Sequence, residues 1–157
     1  MRIAQRASPQ YCKYIFLDFI DPEQIKNLYN IGVGPKSECD TINNKYKKID
    51  FYGVEANPAM YEAVRDTFPG KILQAAVSEA GRGNFADFFI HEPIEMASGL
   101  VPHSYEIGEG APEPLKVPAM NLDEFDEEVG RQEGVILWMD IEGYELNALK
   151  SGPNLLA

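Results

Sequence analysis

Three apolar runs, each closed by Gly or Pro punctuation and separated by helix-forming stretches, leave this chain few folds to choose from. LYNIGV (28–33) reads as a short buried strand bounded by Gly34-Pro35, and Ser37-x-x-Asp40 resembles a capping box opening a helix over about 38–46. IDFYGVEA (49–56) is a second strand. Asn57-Pro58 then supplies an N-cap with proline at the first helical position. Met60, Ala63, Val64 and Phe68 mark one apolar helical face, and Pro69-Gly70 ends it. KILQAAV (71–77) makes a third strand. The order strand, helix, strand, helix, strand is the signature of a parallel sheet with right-handed crossovers, so an α/β fold is expected.

The remaining chain is less regular. YCKYIFLDFI (11–20) is apolar and aromatic and suits either a strand or a packing helix. EAGRG (79–83) is turn chemistry, NFADFFI (84–90) is extended, and residues 91–116 form a long loop rich in Gly and Pro. VPAMNLDEF (117–125) reads as an edge strand running into a short helix. VILWMDIEG (135–143) is the most apolar strand, and GYELNALKSG closes as a helix capped by Gly152 with Pro153 beyond.

Size and charge narrow the function. A chain of 157 residues is expected to form a single domain, with no repeat or linker. With 45% hydrophobic and 25% charged residues it has an ordinary globular composition. Its 25 acidic against 14 basic side chains give a formal charge of −11, which repels a phosphate backbone, so nucleic acid is not an expected partner. No stretch has the roughly 20 apolar residues of a spanning helix, and the first residues lack a signal-peptide core. A cytoplasmic address without a membrane partner is expected. Cys12 and Cys39 have no paired spacing, and His91 and His103 lack neighbouring ligands, so no metal site is assigned.

In an open parallel sheet, ligands bind outside the carboxyl ends of the strands, where strand order reverses. That rule selects Gly32 to Pro35, Glu55, Ala75 to Ser78, and Asp140 to Gly143. The glycines let backbone approach a ligand closely. Glu55 ends the next strand 21 positions after Gly34, near the offset at which a carboxylate accepts the hydroxyls of an adenosine ribose. A plain strand-to-helix bend with a solvated Glu would leave the same trace. Ser37 stands where a dinucleotide fingerprint wants a third small glycine, and Lys36-Ser37 lack the spacing of a phosphate-binding P-loop. Asp140 and Glu142, two apart on one side of an extended strand, would both face the cleft and could accept a proton, bind an ammonium group or coordinate a cation, unless Glu142 merely favours the following helix N-terminus. Glu145 favours a helix N-terminus instead. His103 is a candidate general base by its intrinsic pKa, or an ordinary loop residue.

NIGVGP, YGVEANP, ILQAAVSEAGRGNF, VPAMNLDEF and LWMDIEGYELNALKSG occur in the order and approximate spacing of the FkbM-type methyltransferases, and the chain resembles that family over residues 27–152, with residues 1–26 an N-terminal extension. The resemblance implies a Rossmann-like fold, S-adenosylmethionine as cofactor, and O-methylation of a hydroxyl on a sugar, polyketide or similar small molecule. Gly32, Val33 and Gly34 would line the methionine part of the cofactor. Glu55, with Ala56 beside it, would hold the ribose, and the Ala75–Ser78 turn, including Ala76 and Val77, would border adenine. Asp140 and Glu142 would stand near the sulfonium and the acceptor. Asn30 occupies a position that is commonly acidic in the family, at the amino-acid end of the cofactor. Such domains usually continue through three further strands, so the sheet here is expected to be incomplete, with an exposed edge open to a second copy. A non-catalytic binding module and an NAD-dependent oxidoreductase are the alternatives.

Overall fold

The computed structural model describes residues 21, 23–34, 39, 42, 44, 46, 48–90, 98–102 and 113–157. Among the described residues four strands form a parallel sheet: β1 (Asn27–Ile31), β2 (Asp50–Glu55), β3 (Lys71–Gln74) and β7 (Val135–Met139), in the spatial order β3-β2-β1-β7. β1 is the pivot. Asn30 pairs with Gly53 on one side and Trp138 on the other, and the chain builds outward through β2 and β3 before returning to β1's free side as β7.

A second sheet holds β4 (Ala76–Val77), β5 (Phe85–Phe88) and β6 (Leu115–Met120), in the order β4-β6-β5, with β6 parallel to β4 and antiparallel to β5. Two readings from the sequence are corrected here. KILQAAV is two strands rather than one, because the chain leaves the first sheet at Ala75, whose N–H donates to the Glu55 carbonyl at 3.1 Å. VPAMNL does not contribute an edge strand: β6 lies between β4 and β5, and it accommodates Pro118 opposite Phe85.

Helices cover both faces of the first sheet. α1 (Pro58–Val64) starts where Asn57 accepts the N–H groups of Ala59 and Met60, with Pro58 in the first turn, so the Asn-Pro signal is realised. α2 (Leu122–Glu128) opens on a complete capping box between Asn121 and Glu124. α3 (Glu145–Lys150) is short and follows the β7 exit. Cys39, Ile42 and Asn44 are helical, in agreement with the helix expected near 38–46; Ser37 and Asp40 lie outside the described residues, as does the 11–20 segment. No helix among the described residues is long and apolar enough to cross a membrane.

Strand alternation sorts the core. Leu28, Phe51 and Ile136 meet Cys39, Ile42, Tyr46, Val64 and Phe68 on one face, while Tyr29, Ile31 and Val54 meet Leu122, Phe125, Val129 and Ala148 on the other. A smaller cluster of Ala76, Phe88 and Val117 ties the second sheet to Ala56 and Leu100. The sheet, its two helical layers and the parallel order make this a Rossmann-like α/β fold.

One buried polar link joins β1 to α2. The Tyr29 hydroxyl donates to the Asp126 carboxylate at 2.6 Å and accepts the Gln132 N–H at 3.2 Å, while its ring stands edge-on to Tyr52 and Phe125. Burial, then the bond to Asp126, pushes the phenol pKa well above its ordinary value, so it stays a donor throughout the physiological range. Tyr29→Phe strands a buried carboxylate and a backbone N–H, and is expected to cost about 2 kcal/mol in urea unfolding. An unchanged midpoint would show that the link contributes nothing.

Candidate functional site

β1 is flanked by strands reached in opposite directions, so the crevice rule places a site at the carboxyl exits of β1 and β7. The β1 exit is a tight glycine turn. Gly32 and Gly34 have φ of 82° and 63°, a region that side chains disfavour. A Cβ on Gly32 would stand 2.3 Å from the Asp140 carbonyl oxygen, so the two exits lie in contact, and the Asp140 N–H still donates to the Ile31 carbonyl at 3.0 Å. A Cβ on Gly34 would meet no described residue within 4 Å.

Glu55 ends β2 beside this turn. Its Oε2 accepts the Gly34 N–H at 2.9 Å and its Oε1 accepts the Asn57 N–H at 2.8 Å, with the side chain 7% exposed. One carboxylate therefore fastens the glycine turn to the start of α1. Burial raises its pKa above the ordinary glutamate value, and the amides of Gly34, Asn57, Ala56 and Val33 only partly offset that. Glu55 was legible from its offset to Gly34; the Asn57 amide was not, although a carboxylate two residues before an N-cap is the local signal for it.

Asn30 lies one strand pair below. Register puts it on the face of Leu28, between Gly53 and Trp138, and Glu55 shares that face through Phe51 and Gly53. It is fully buried, and neither its amide nitrogen nor its carbonyl oxygen has a hydrogen-bond partner among the described residues. Two unsatisfied polar atoms in a core are costly, so their presence directly beneath the glycine turn marks a place where stability is not the optimised quantity.

Residues 140–143 depart from the extended strand expected from sequence over 135–143. β7 ends at Met139, and Glu142 has a φ of 55° in a turn, so Asp140 and Glu142 do not alternate along one strand face. Asp140 continues the alternation of Ile136 and Trp138 onto the face of Asn30; Glu142 does not. Both are exposed. Glu145 clamps the turn, its Oε1 accepting the N–H groups of Ile141 at 3.0 Å and Gly143 at 3.3 Å. Its burial pushes its pKa up, but its own amide and those of Ile141 and Gly143 outweigh this and hold it below the usual value. The sequence reading of Glu145 as a helix-terminus residue agrees with that role.

Ala75–Ser78 is likewise not a turn. Ala76 and Val77 are strand β4, their side chains packed in core clusters, while Ala56 packs on the cluster that contains Ala76. Val33 is buried with the α1 face. His91 and His103 lie outside the described residues, and among those described no group of three or more His, Cys, Asp or Glu could hold a metal ion. A link that sequence gave no sign of joins the rim: the Tyr144 hydroxyl donates to Glu79 at 2.6 Å, and burial followed by that bond raises the Tyr144 pKa.

Two stability measurements follow from this geometry. Asn30→Val removes both orphaned atoms with only a modest gain in volume and is expected to raise the melting temperature by several degrees; a fall would mean that the amide is satisfied in solution. Because the folded pKa of Glu55 is raised, its stabilising contribution is complete below the unfolded value and is lost as pH rises through the folded one. The stability of wild type relative to Glu55→Gln should therefore decline with rising pH across the window just above the ordinary glutamate pKa. A difference that grows with pH would reverse the sign of the shift.

Comparison with curated proteins and with solved structures gives no match. The sequence model of the family described as Methyltransferase FkbM domain matches residues 20–157, which takes in every described strand and helix of the two sheets. The chain therefore belongs to the FkbM methyltransferase family.

Proposed function

We propose that this chain is an S-adenosylmethionine-dependent methyltransferase that modifies a hydroxyl of a small molecule, a sugar or a polyketide being the class implied by its family. The observation that carries the reading is the Glu55 carboxylate, buried at a β2 exit and touching the Gly34 amide. An ionised carboxylate offers about four acceptor positions. The Gly34 and Asn57 amides take two at hydrogen-bond distance, and the adjacent hydroxyls of a ribose would use acceptor positions that remain or displace the weaker amide contacts of Ala56 and Val33. No described residue would lie within 4 Å of a Cβ on Gly34, which suits close backbone contact, and the Asn30 amide beneath it has N–H donors and an acceptor without partners among the described residues. These groups fit an adenosine-bearing cofactor.

When bound, S-adenosylmethionine supplies a methyl group already activated on a sulfonium. The protein's own task is then alignment and proton removal. Glu55 and the Gly32–Gly34 turn hold and orient the nucleoside end. Asp140, exposed on the face of Asn30 and beside Gly32, accepts the proton released when an acceptor hydroxyl becomes an ether. Glu142 holds a backbone conformation that costs a non-glycine residue roughly 1 kcal/mol, and keeping a carboxylate there supports a role at the acceptor.

Calorimetry with S-adenosylhomocysteine tests the reading. Binding to wild type, weakened at least about tenfold by Glu55→Ala, is expected. Binding of NAD in its place would transfer the same ribose site to an oxidoreductase. Glu142→Gly should raise stability by about 1 kcal/mol and reduce methyl transfer to the sugar that wild type accepts best. Full transfer by that variant would remove Glu142 from the acceptor site.

A further inference from the structure

The turn that follows β7 is held unevenly. At its start the Asp140 N–H donates to the Ile31 carbonyl at 3.0 Å, and Ile141 packs on the core face of Leu122 and Ala148. The next two residues have little support. Glu142 and Gly143 have φ of 55° and 95°, both are exposed, and a Cβ on Gly143 would meet no described residue within 4 Å. The Glu145 clamp on the Ile141 and Gly143 amides is internal to the segment, so it moves with the turn. Among the described residues one hydrogen bond fixes the far end of the turn to another element: the Tyr144 hydroxyl donates to Glu79 Oε2 at 2.6 Å.

Glu79 is a firm mount for that bond. It follows Ser78, whose N–H donates to the Met120 carbonyl at 2.8 Å and whose hydroxyl accepts the Ala80 N–H at 3.3 Å. Three residues further on, the Arg82 N–H donates at 2.7 Å to the same Glu124 oxygen that accepts the Asn121 N–H in the α2 capping box. Tyr144 therefore ties a weakly supported turn to a segment fastened to β6 and α2.

We propose that Tyr144 is a positioning residue which, through Glu79, sets where the Glu142 carboxylate stands for the acceptor. The proposal rests on the reading of Glu142 as an acceptor-site residue. The Glu142 side chain makes no hydrogen bond among the described residues, so its place follows that of its backbone, and that backbone is flanked by Tyr144 only two residues away. Release of Tyr144 lets the left-handed pair Glu142-Gly143 relax, and a carboxylate displaced by about 1 Å orients an acceptor poorly. The cofactor groups at Glu55 and Gly34 are on other strand exits and keep their bonds.

The test joins amide hydrogen exchange on the whole chain to kinetics with S-adenosylmethionine and the best acceptor from a monosaccharide panel. Tyr144→Phe and Glu79→Ala are expected to speed exchange at Ile141 and Gly143 about fivefold and to lower kcat/KM for the acceptor about tenfold. The KM for S-adenosylmethionine should stay within about twofold of wild type. Glu79→Gln keeps an acceptor oxygen and should stay close to wild type in both readouts. In a Glu142→Gln background Tyr144→Phe should reduce transfer no further, because it acts through that carboxylate. Unchanged exchange in Tyr144→Phe, or faster exchange with full transfer, overturns the positioning role and leaves the methyltransferase reading standing. Failure of wild type to bind S-adenosylhomocysteine or to methylate any sugar overturns both.

Discussion

A single carboxylate organises the carboxyl edge of this sheet. Glu55 is withdrawn from water yet holds two backbone amides, one from the glycine turn that ends β1 and one from the start of α1. Burial makes the charged form expensive, and the amides return part of that cost as charge-assisted bonds. The arrangement needs Gly34 in a left-handed conformation to aim its N–H inward, and it needs Asn57 to begin a helix just after the strand. Three local features, a glycine turn, a strand-end acid and an N-cap, are thus tied into one unit.

Around that unit the fold tolerates features that stability alone would remove. Asn30 leaves two polar atoms in the core without partners among the described residues, and Glu142 occupies a backbone region better suited to glycine. Both lie at the same edge, whereas the link from Tyr29 to Asp126, on the opposite sheet face, is fully bonded and packed between aromatic rings. Left-handed backbone also occurs at Lys48 and Arg131, so it is the orphaned Asn30 amide, more than the strain at Glu142, that sets this edge apart among the described residues.

Much of the fold was legible because its signals are local. Apolar runs ending in Gly34-Pro35 and Glu55, and the Asn57-Pro58 cap, each report a structure formed within a few residues, and the parallel order follows from their alternation. What sequence did not report depends on distant partners. Nothing in KILQAAV announces that the chain changes sheets at Ala75, and nothing in LKVPAM shows strands on both sides of it, because those pairings join residues 27 to 43 positions apart. The turn after Met139 was hidden for a related reason. Its apolar residues continue a strand pattern, while the Glu145 clamp that bends it acts from the following helix. At the site, Glu55 and Gly34 were found by spacing, but the bond from Tyr144 to Glu79 required the folded chain.

The most direct measurement is a carbon-13 NMR titration of the Glu55 carboxyl, free and saturated with S-adenosylhomocysteine. In the free protein the midpoint should lie above the ordinary glutamate value. Because Glu55 is already almost fully buried, a bound nucleoside adds hydroxyl donors with little further desolvation, so saturation should move the midpoint down. A midpoint that ignores the ligand would contradict direct contact between this carboxylate and the nucleoside.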